Sequence, residues 1–300
     1  MYEWERALQK MIGYLEEHIA ENPTLEQMAR QIGYSPYYCS SRFSQIVGMN
    51  IRSYLAGRRL CRAAIALRDS DERILDIAIA CGYSSQEALT RAFVRAFSCT
   101  PGAYRKNQRP IALPIIKNVF FPEHYQKGEQ EQVEENCLRE ASVRVAYLPA
   151  HKYIGVFEER AQSYFELWEH QSCDAVCGML ESMSNLADPI LGIHTAGWFY
   201  EQGEKKGYCY GMGAPAEYAG EVPEGFSLRN VPGGYYLVFF HPPFDFFRDC
   251  EEVMNRVEKM AEEFDPTTMG FVWQEGEKID YQRHLSEDIG YEIWKPVKRA

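Results

Sequence analysis

LEQMARQIGYSPYYCSSRFSQIVG (25–48) and ILDIAIACGYSSQEALTRAFVRAF (74–97) decide the fold of the first third of this 300-residue chain. In the first stretch, Thr24 followed by Glu26 and Gln27 caps a short helix over 25–32. Gly33 ends that helix, and Ser35-Pro36 opens the next with a capping hydroxyl and a proline at the first helical position. Short helix, glycine turn, second helix is the helix-turn-helix plan. The second stretch repeats it at a shift of 49–50 residues. Gly33-Tyr34-Ser35 falls on Gly82-Tyr83-Ser84, and Cys39, Phe43 and Val47 fall on Leu89, Phe93 and Phe97. Tyr54 and Tyr104 also correspond, so the repeat is specific. Trp4, Leu8, Met11, Ile12, Leu15 and Ile19 predict an amphipathic helix before the first copy. Residues 51–67 predict a longer one between the copies, with Arg52, Arg58, Arg59 and Arg62 on its polar side.

Charge separates this helical part from the rest. Residues 1–107 carry 14 Lys and Arg against 11 Asp and Glu, whereas residues 108–300 carry 18 against 32. The chain's net charge of −11 therefore hides a mildly basic module joined to a strongly acidic one. At 46% apolar and 25% charged residues the composition is globular. No apolar run approaches the ~20 residues that span a bilayer. The opening MYEWERALQK reads as charged helix rather than signal peptide, so the expected location is the cytoplasm. The nine cysteines form no CxxC pair, and Cys173 and Cys177, four apart, are the closest. Reduced, mostly buried thiols are expected.

Two helix-turn-helix units on one rigid helix suit successive major grooves of double-stranded DNA, about one turn or ~34 Å apart. The early positions of each second helix should meet the duplex. In the first copy these are Tyr37, Tyr38, Ser40, Ser41 and Arg42, and in the second Gln86, Glu87, Thr90, Arg91 and Arg95. Arginine suits guanine, glutamine suits adenine, and a glutamate accepts from a cytosine amine. Hydroxyls and helix N-termini hold phosphates.

Gly82-Tyr83-Ser84-Ser85-Gln86, then Arg91-Ala92-Phe93 and Phe97, then Thr100-Pro101-Gly102-Ala103-Tyr104-Arg105, resemble the signature of the AraC/XylS family of transcription regulators. The resemblance covers about residues 5–107. It implies a double helix-turn-helix that binds promoter DNA, an activator rather than a repressor, and RNA polymerase as a possible partner. Ser40 and Ser41 depart from one branch of that family, which has bulky polar residues there.

Residues 108–142 are rich in Pro, Gln and Glu and read as a linker, so the domains expected are 1–107 and 143–300. In the second, a repeat appears at a shift of 83. Leu148-Pro149 falls on Val231-Pro232, and Tyr153-Ile154-Gly155-Val156-Phe157 falls on Tyr236-Leu237-Val238-Phe239-Phe240. Each half reads strand, turn, strand, helix, strand, strand. Two βαββ repeats sharing one sheet predict an α+β domain with both helices on one face. The opposite face, concave where the halves meet, is the expected small-molecule pocket. Strand parity puts Glu292 and Trp294 on one face and Tyr291, Ile293 and Lys295 on the other. Because a lone glutamate is rarely buried under helices, the Glu292/Trp294 face is taken as the pocket side.

Gly192-Ile193-His194-Thr195, Gly197-Trp198, Val222-Pro223-Glu224-Gly225-Phe226, Phe244-Asp245-Phe246 and Tyr291-Glu292-Ile293-Trp294-Lys295-Pro296 resemble the GyrI-like effector-binding domain. With an AraC-type domain before it, the order is that of Rob-like regulators. The resemblance implies binding of bulky aromatic, often cationic, small-molecule effectors. Trp198, Tyr208, Tyr210, Tyr281, Gln282, Glu292 and Trp294 are the candidate ligand residues. At Gln282 the family usually has a glutamate. Either Glu292 supplies that charge or the ligand is neutral. His194, His241 and His284 are scattered singly, so neither metal nor cofactor is expected. No Ser-His-Asp or Cys-His constellation supports catalysis. Two other readings remain open for this half. One is a hydrolase in which Glu292 with a neighbouring tyrosine activates water, and the other is a protein-docking module.

Overall fold

The computed structural model describes residues 2–116, 141–244, 246–284 and 290–300. They divide into two units, one holding residues 2–116 and 177–185, the other 141–176 and 186–300. Among the described residues, no helix is long and apolar enough to cross a membrane.

The first unit is all helix: α1 (Tyr2–Glu17), α2 (Leu25–Ile32), α3 (Pro36–Val47), α4 (Ile51–Asp69), α5 (Ile74–Ala80), α6 (Gln86–Phe97) and α7 (Pro101–Lys106). Leu8, Ile12, Leu15, Met28, Cys39, Phe43 and Tyr54 close one core around α1–α3 and the start of α4. Ala64, Leu67, Ile77, Leu89, Phe93 and Tyr104 close a second around the rest of α4 and α5–α7. The 19 residues of α4 run through both, a rod of ~28 Å at ~1.5 Å per residue.

Three of the four arginines expected on the polar side of α4 are fastened inside this unit. Arg58, only 7% exposed, grips Glu16 through Nε and Nη2 (2.7 and 3.1 Å) and donates Nη1 to the Pro114 carbonyl (2.6 Å). Arg59 Nε donates to the Ile19 carbonyl at 2.7 Å, and Arg62 Nη2 to that of Glu16 at 2.8 Å. They tie the end of α1 to α4, and Arg52 alone stays exposed without a hydrogen bond or ion pair among the described residues.

The helical unit runs past residue 107, where the sequence placed the start of a linker. Ile111 and Leu113 enter the second core. Their amides donate to Ser182 Oγ and the Gly178 carbonyl, both at 3.1 Å. Residue 178 must be glycine, since a Cβ there would fall 2.1 Å from the Leu113 oxygen. The remainder of the expected linker, 117–140, lies outside the described residues.

The second unit carries nine strands: β1 (Ser142–Leu148), β2 (His151–Glu158), β3 (Thr195–Glu201), β4 (Glu204–Pro215), β5 (Ser227–Val231), β6 (Gly234–His241), β7 (Phe271–Trp273), β8 (Lys278–His284) and β9 (Tyr291–Arg299). Between β2 and β3 lie α8 (Tyr164–His170) and α9 (Cys173–Ser182), and between β6 and β7 lies α10 (Phe246–Glu263). One antiparallel sheet runs β1-β6-β9-β8-β3-β4-β2-β5, with β7 added beside β9.

A shift of 83 residues carries β2 onto β6 and β3 onto β8, end to end. Under it the strand order reads the same from both ends, with the related pair β3 and β8 at the centre. The first strands are exchanged: β1 pairs with β6 of the second half, and β5 with β2 of the first. Neither half therefore completes its own end of the sheet, a crossing that the two-repeat pattern in the sequence did not reveal.

Helix α10 covers one face through Val253, Met254, Val257 and Ala261, packed on Leu237, Phe239, Tyr291, Ile293 and Val297. The other face is filled by Tyr153, Phe199, Tyr236, Val238, Ile279, Tyr281 and Trp294.

Candidate DNA-binding face and ligand cavity

Capping fixes where each recognition helix begins. Thr24 Oγ1 accepts from the Gln27 amide at 3.2 Å while Gln27 Oε1 accepts from the Thr24 amide at 2.7 Å, a closed capping box on α2. Gly33, at φ +77°, turns the chain, and Ser35 Oγ accepts from the Tyr38 amide at 3.3 Å to start α3. In the second copy Ser85 Oγ accepts from the Ala88 amide at 3.2 Å. Gly82 lies at φ +80°, and a Cβ there would stand 2.9 Å from the Arg59 guanidinium carbon and 3.0 Å from the Ala20 Cα. Glycine is needed at that turn for both reasons.

The two recognition helices present different chemistry. On α6, Gln86, Glu87, Arg91 and Arg95 are exposed and Thr90 is half-buried. Arg91 makes no hydrogen bond or ion pair among the described residues. The Ser85 hydroxyl and the backbone amide at 87, with a smaller contribution from the nearby Arg91 charge, hold the Glu87 carboxyl below its ordinary range, so that carboxylate serves the start of its own helix. Arg95 borders a groove of about 300 Å³ whose walls include Gly57, Arg59 and Leu60 of α4 and Ala92 and Ala96 of α6.

On α3, Tyr37 is 85% exposed and Ser41 is exposed, while Ser40 is half-buried. Tyr38 turns its ring to Trp4, edge-on at 4.6 Å. Arg42 lies with its guanidinium carbon 5.6 Å from the Trp4 ring centre, donating Nη1 to Gln45 Oε1 at 2.9 Å.

In the second unit a cavity of about 360 Å³ opens on the helix-covered face of the sheet, opposite to the face expected to hold it. Tyr164 and Phe165 of α8, Trp198 and Tyr200 of β3, Lys205 of β4, Asp280 and Gln282 of β8, Ile293 and Lys295 of β9, and Glu251, Glu258 and Glu262 of α10 line it. Four carboxylates face two ammonium groups, so the lining is acidic.

Of the seven ligand candidates, Trp198 and Gln282 line this cavity. Trp198 donates Nε1 to the Gln162 carbonyl at 2.8 Å and lies under Lys205, whose Nζ is 4.9 Å from the ring centre. Tyr208 is buried behind Gln282 and donates its hydroxyl to Gln282 Oε1. Gln282 Nε2 in turn donates to the Tyr291 hydroxyl, which donates to Glu258 Oε1 at 3.4 Å. Tyr210 packs instead beside α8, against Trp168 at 4.9 Å.

Tyr281, Glu292 and Trp294 point to the other side of the sheet, so the expected Glu292/Trp294 face and this cavity lie on opposite sides. Glu292, 5% exposed, accepts from Arg144 Nη2 (2.9 Å), Arg283 Nη1 (3.3 Å) and Trp294 Nε1 (2.7 Å). The same two guanidiniums sandwich the Trp294 ring at 5.4 and 5.7 Å. Tyr281 is fully buried, its hydroxyl 2.7 Å from His151 Nε2. The Glu292 oxygens accept from three donors, and Glu292 does not line the cavity of about 360 Å³.

Sequence reasoning missed the cavity's own charges. Burial pushes the Glu258 carboxyl above its ordinary range, partly offset by the Tyr291 hydroxyl. Burial likewise lowers the Lys205 and Lys295 ammoniums despite the carboxylates around them. The available signal was the spacing Glu251, Asn255, Glu258, Glu262, a polar stripe at helical period along α10 beside its apolar stripe.

Comparison with known proteins bears on both units. A helix-turn-helix domain family matches residues 28–107. The uncharacterized HTH-type transcriptional regulator YbfP of Bacillus subtilis is 40% identical over 102 residues, which are 34% of this chain and 35% of YbfP. Among solved structures, the DNA-binding domain of AdpA in complex with a target DNA is similar at 28% identity and a TM-score of 0.32, over 34% of this chain and 92% of that one. The transcriptional regulator Rob of Salmonella typhimurium is 36% identical over 240 residues, covering 77% of this chain and 76% of Rob. That match extends well beyond the helical unit, and by it this chain belongs to the AraC family of helix-turn-helix transcriptional regulators.

Proposed function

We propose that this regulator binds promoter DNA with α3 and α6 in successive major grooves, and that its second unit binds a small aromatic or amphipathic effector that alters promoter occupancy or contact with RNA polymerase, as an activator. The observation that carries the effector reading is the cavity of about 360 Å³ between α8, α10 and the sheet. Its size falls in the range of small-molecule sites, and it combines aromatic walls with a few placed charges. Four carboxylates against Lys205 and Lys295 favour a ligand with an aromatic body and a basic nitrogen. Neutral Gln282 cannot supply the attraction, and Glu258, joined to it through Tyr291, is the carboxylate that does. Regulation then requires the effector to bind the DNA-competent and incompetent states with different affinity.

The test is isothermal titration of the full chain with a panel of arylalkyl amines, whose nitrogen is protonated at neutral pH, their neutral isosteres and aromatic acids, beside Trp198→Ala. Saturable binding of the amines, weakened in the variant, supports the reading. Equal heats for amines and acids, or none for either, would remove it. Turnover of any panel member would favour the hydrolase alternative.

A further inference from the structure

We propose that the two recognition helices read DNA unequally. The first reads its half-site without a guanidinium, through Tyr37, because Trp4 holds Arg42 away from the bases. This rests on the two-helix DNA reading above and adds to it the division of labour between the helices.

Arg42 is the one cationic residue of α3, so its position decides whether that helix offers a charged fork to a base edge. Its guanidinium carbon lies 5.6 Å from the centre of the Trp4 ring, and Nη1 is committed to Gln45 Oε1 at 2.9 Å. The Trp4 ring is fixed in its turn by Tyr34 at 4.4 Å and Tyr38 at 4.6 Å. Residues from α1, from the turn and from α3 thus form an aromatic cluster whose Trp4 ring takes the cation and binds the start of α1 to the recognition helix. An arginine in that posture is a positioning residue.

What α3 leaves for the bases is neutral. Tyr37, at 85% exposure, stands clear of every ring contact and hydrogen bond among the described residues. One helical turn on, Ser41 is exposed as well. A phenol ring can lie against a thymine methyl, and its hydroxyl makes single hydrogen bonds. Neither matches the bidentate fork that an arginine places on guanine O6 and N7. On α6, by contrast, Arg91 is exposed and makes no hydrogen bond or ion pair among the described residues, and Gln86, the first residue of the helix, is exposed as well. The operator therefore has one strongly specified, guanine-containing block under α6 and one weaker block under α3 in which thymine contacts dominate.

The experiment is selection of bound sites from a randomised duplex by the full chain, comparing wild type with Tyr37→Ala, Arg42→Met and Arg91→Ala, each checked for helicity by circular dichroism. Methionine keeps an unbranched stem against Trp4 while removing the charge. Expected are two blocks from wild type, the one flattened by Arg91→Ala being that of α6. Tyr37→Ala flattens the other, and Arg42→Met leaves both base by base as in wild type. A guanine in the first block that disappears with Arg42→Met, or a first block untouched by Tyr37→Ala, overturns the inference and leaves the two-helix reading standing. A wild-type selection without two blocks removes that reading, and the inference with it.

Discussion

At Gln282 the sheet carries an amide, and a chain of hydrogen bonds joins it to a carboxylate on α10. Tyr208 donates to the amide oxygen, the amide donates to Tyr291, and Tyr291 donates to Glu258. The proton-accepting end of that chain is on α10. Burial raises the Glu258 carboxyl above its ordinary range, so it takes up a proton at a pH where an exposed glutamate would stay ionised. A bound cation favours the ionised form and must expel that proton. Affinity for an arylalkyl amine is therefore full above the raised value and falls as pH drops through it, by at most about tenfold per pH unit. Glu258→Gln should weaken amine binding roughly tenfold or more near pH 8 and flatten the pH profile, measured by titration calorimetry across pH 4.5–8. An unchanged profile in the variant would place the titrating group elsewhere. The candidate site was legible in part. Trp198 and Gln282 were found from motif positions, whereas Glu258, Lys205 and Lys295 were missed because strand parity alone cannot say which face the helices leave open. The argument that a lone glutamate avoids the helix side held for Glu292, which faces away from α10 with Trp294, but it could not foresee a cavity on the helix side whose carboxylates come mostly from α10 itself.

At the scale of elements, legibility followed the kind of signal. Both helix-turn-helix units were readable because each boundary carries a local chemical mark: Thr24, Gly33 and Ser35 in one, Gly82 and Ser85 in the other. The duplicated strands were readable because a shift of 83 superimposes β2 on β6 and β3 on β8. The exchange of β1 and β5 was not, since it depends on long-range pairing that no local pattern encodes. Nor was the role of the arginines on α4. A polar stripe looks the same whether it meets solvent or Glu16, and the carboxylate that claims it lies 42 residues away. The fixed geometry of that pair gives an expectation opposite to the one for a solvated stripe. Arg58→Ala leaves Glu16 half-buried beside Tyr54 with only the more distant Arg62 Nη2, 3.9 Å away, as its cation, and losses of up to about 3–5 kcal/mol follow when one partner of a buried pair is removed. Chemical denaturation should show a loss of that order, against less than about 0.5 kcal/mol for Arg52→Ala, whose side chain is exposed. Equal effects would return Arg58 to the surface.

For the whole molecule, a net charge of −11 would seem to oppose duplex binding, yet counterion release depends on the cations that reach phosphates and not on the sum over the chain. The helical module carries a small positive balance, but several of its arginines are spent internally: Arg58, Arg59 and Arg62 on the end of α1, Arg42 on Trp4 and Gln45. Arg30, Arg52, Arg91 and Arg95 remain exposed without a hydrogen bond or ion pair among the described residues. In the proposed two-helix reading Arg91 meets a base edge, while Arg95, beside the groove between α4 and α6, and Arg52 contact the backbone between the half-sites. Few phosphate contacts mean a shallow salt dependence. The logarithm of affinity should fall with the logarithm of salt concentration at a slope of about −0.9 for each phosphate neutralised. Arg95→Ala and Arg52→Ala should each reduce that slope by about one while leaving the selected sequence unchanged. Arg91→Ala should instead lower affinity for the selected site by about 1–3 kcal/mol, relaxing one block. Fluorescence anisotropy on one labelled duplex from 50 to 400 mM salt separates the two classes. A slope that Arg95→Ala leaves intact would take that residue off the backbone, and an Arg91→Ala protein that loses slope but keeps both blocks would exchange the two roles.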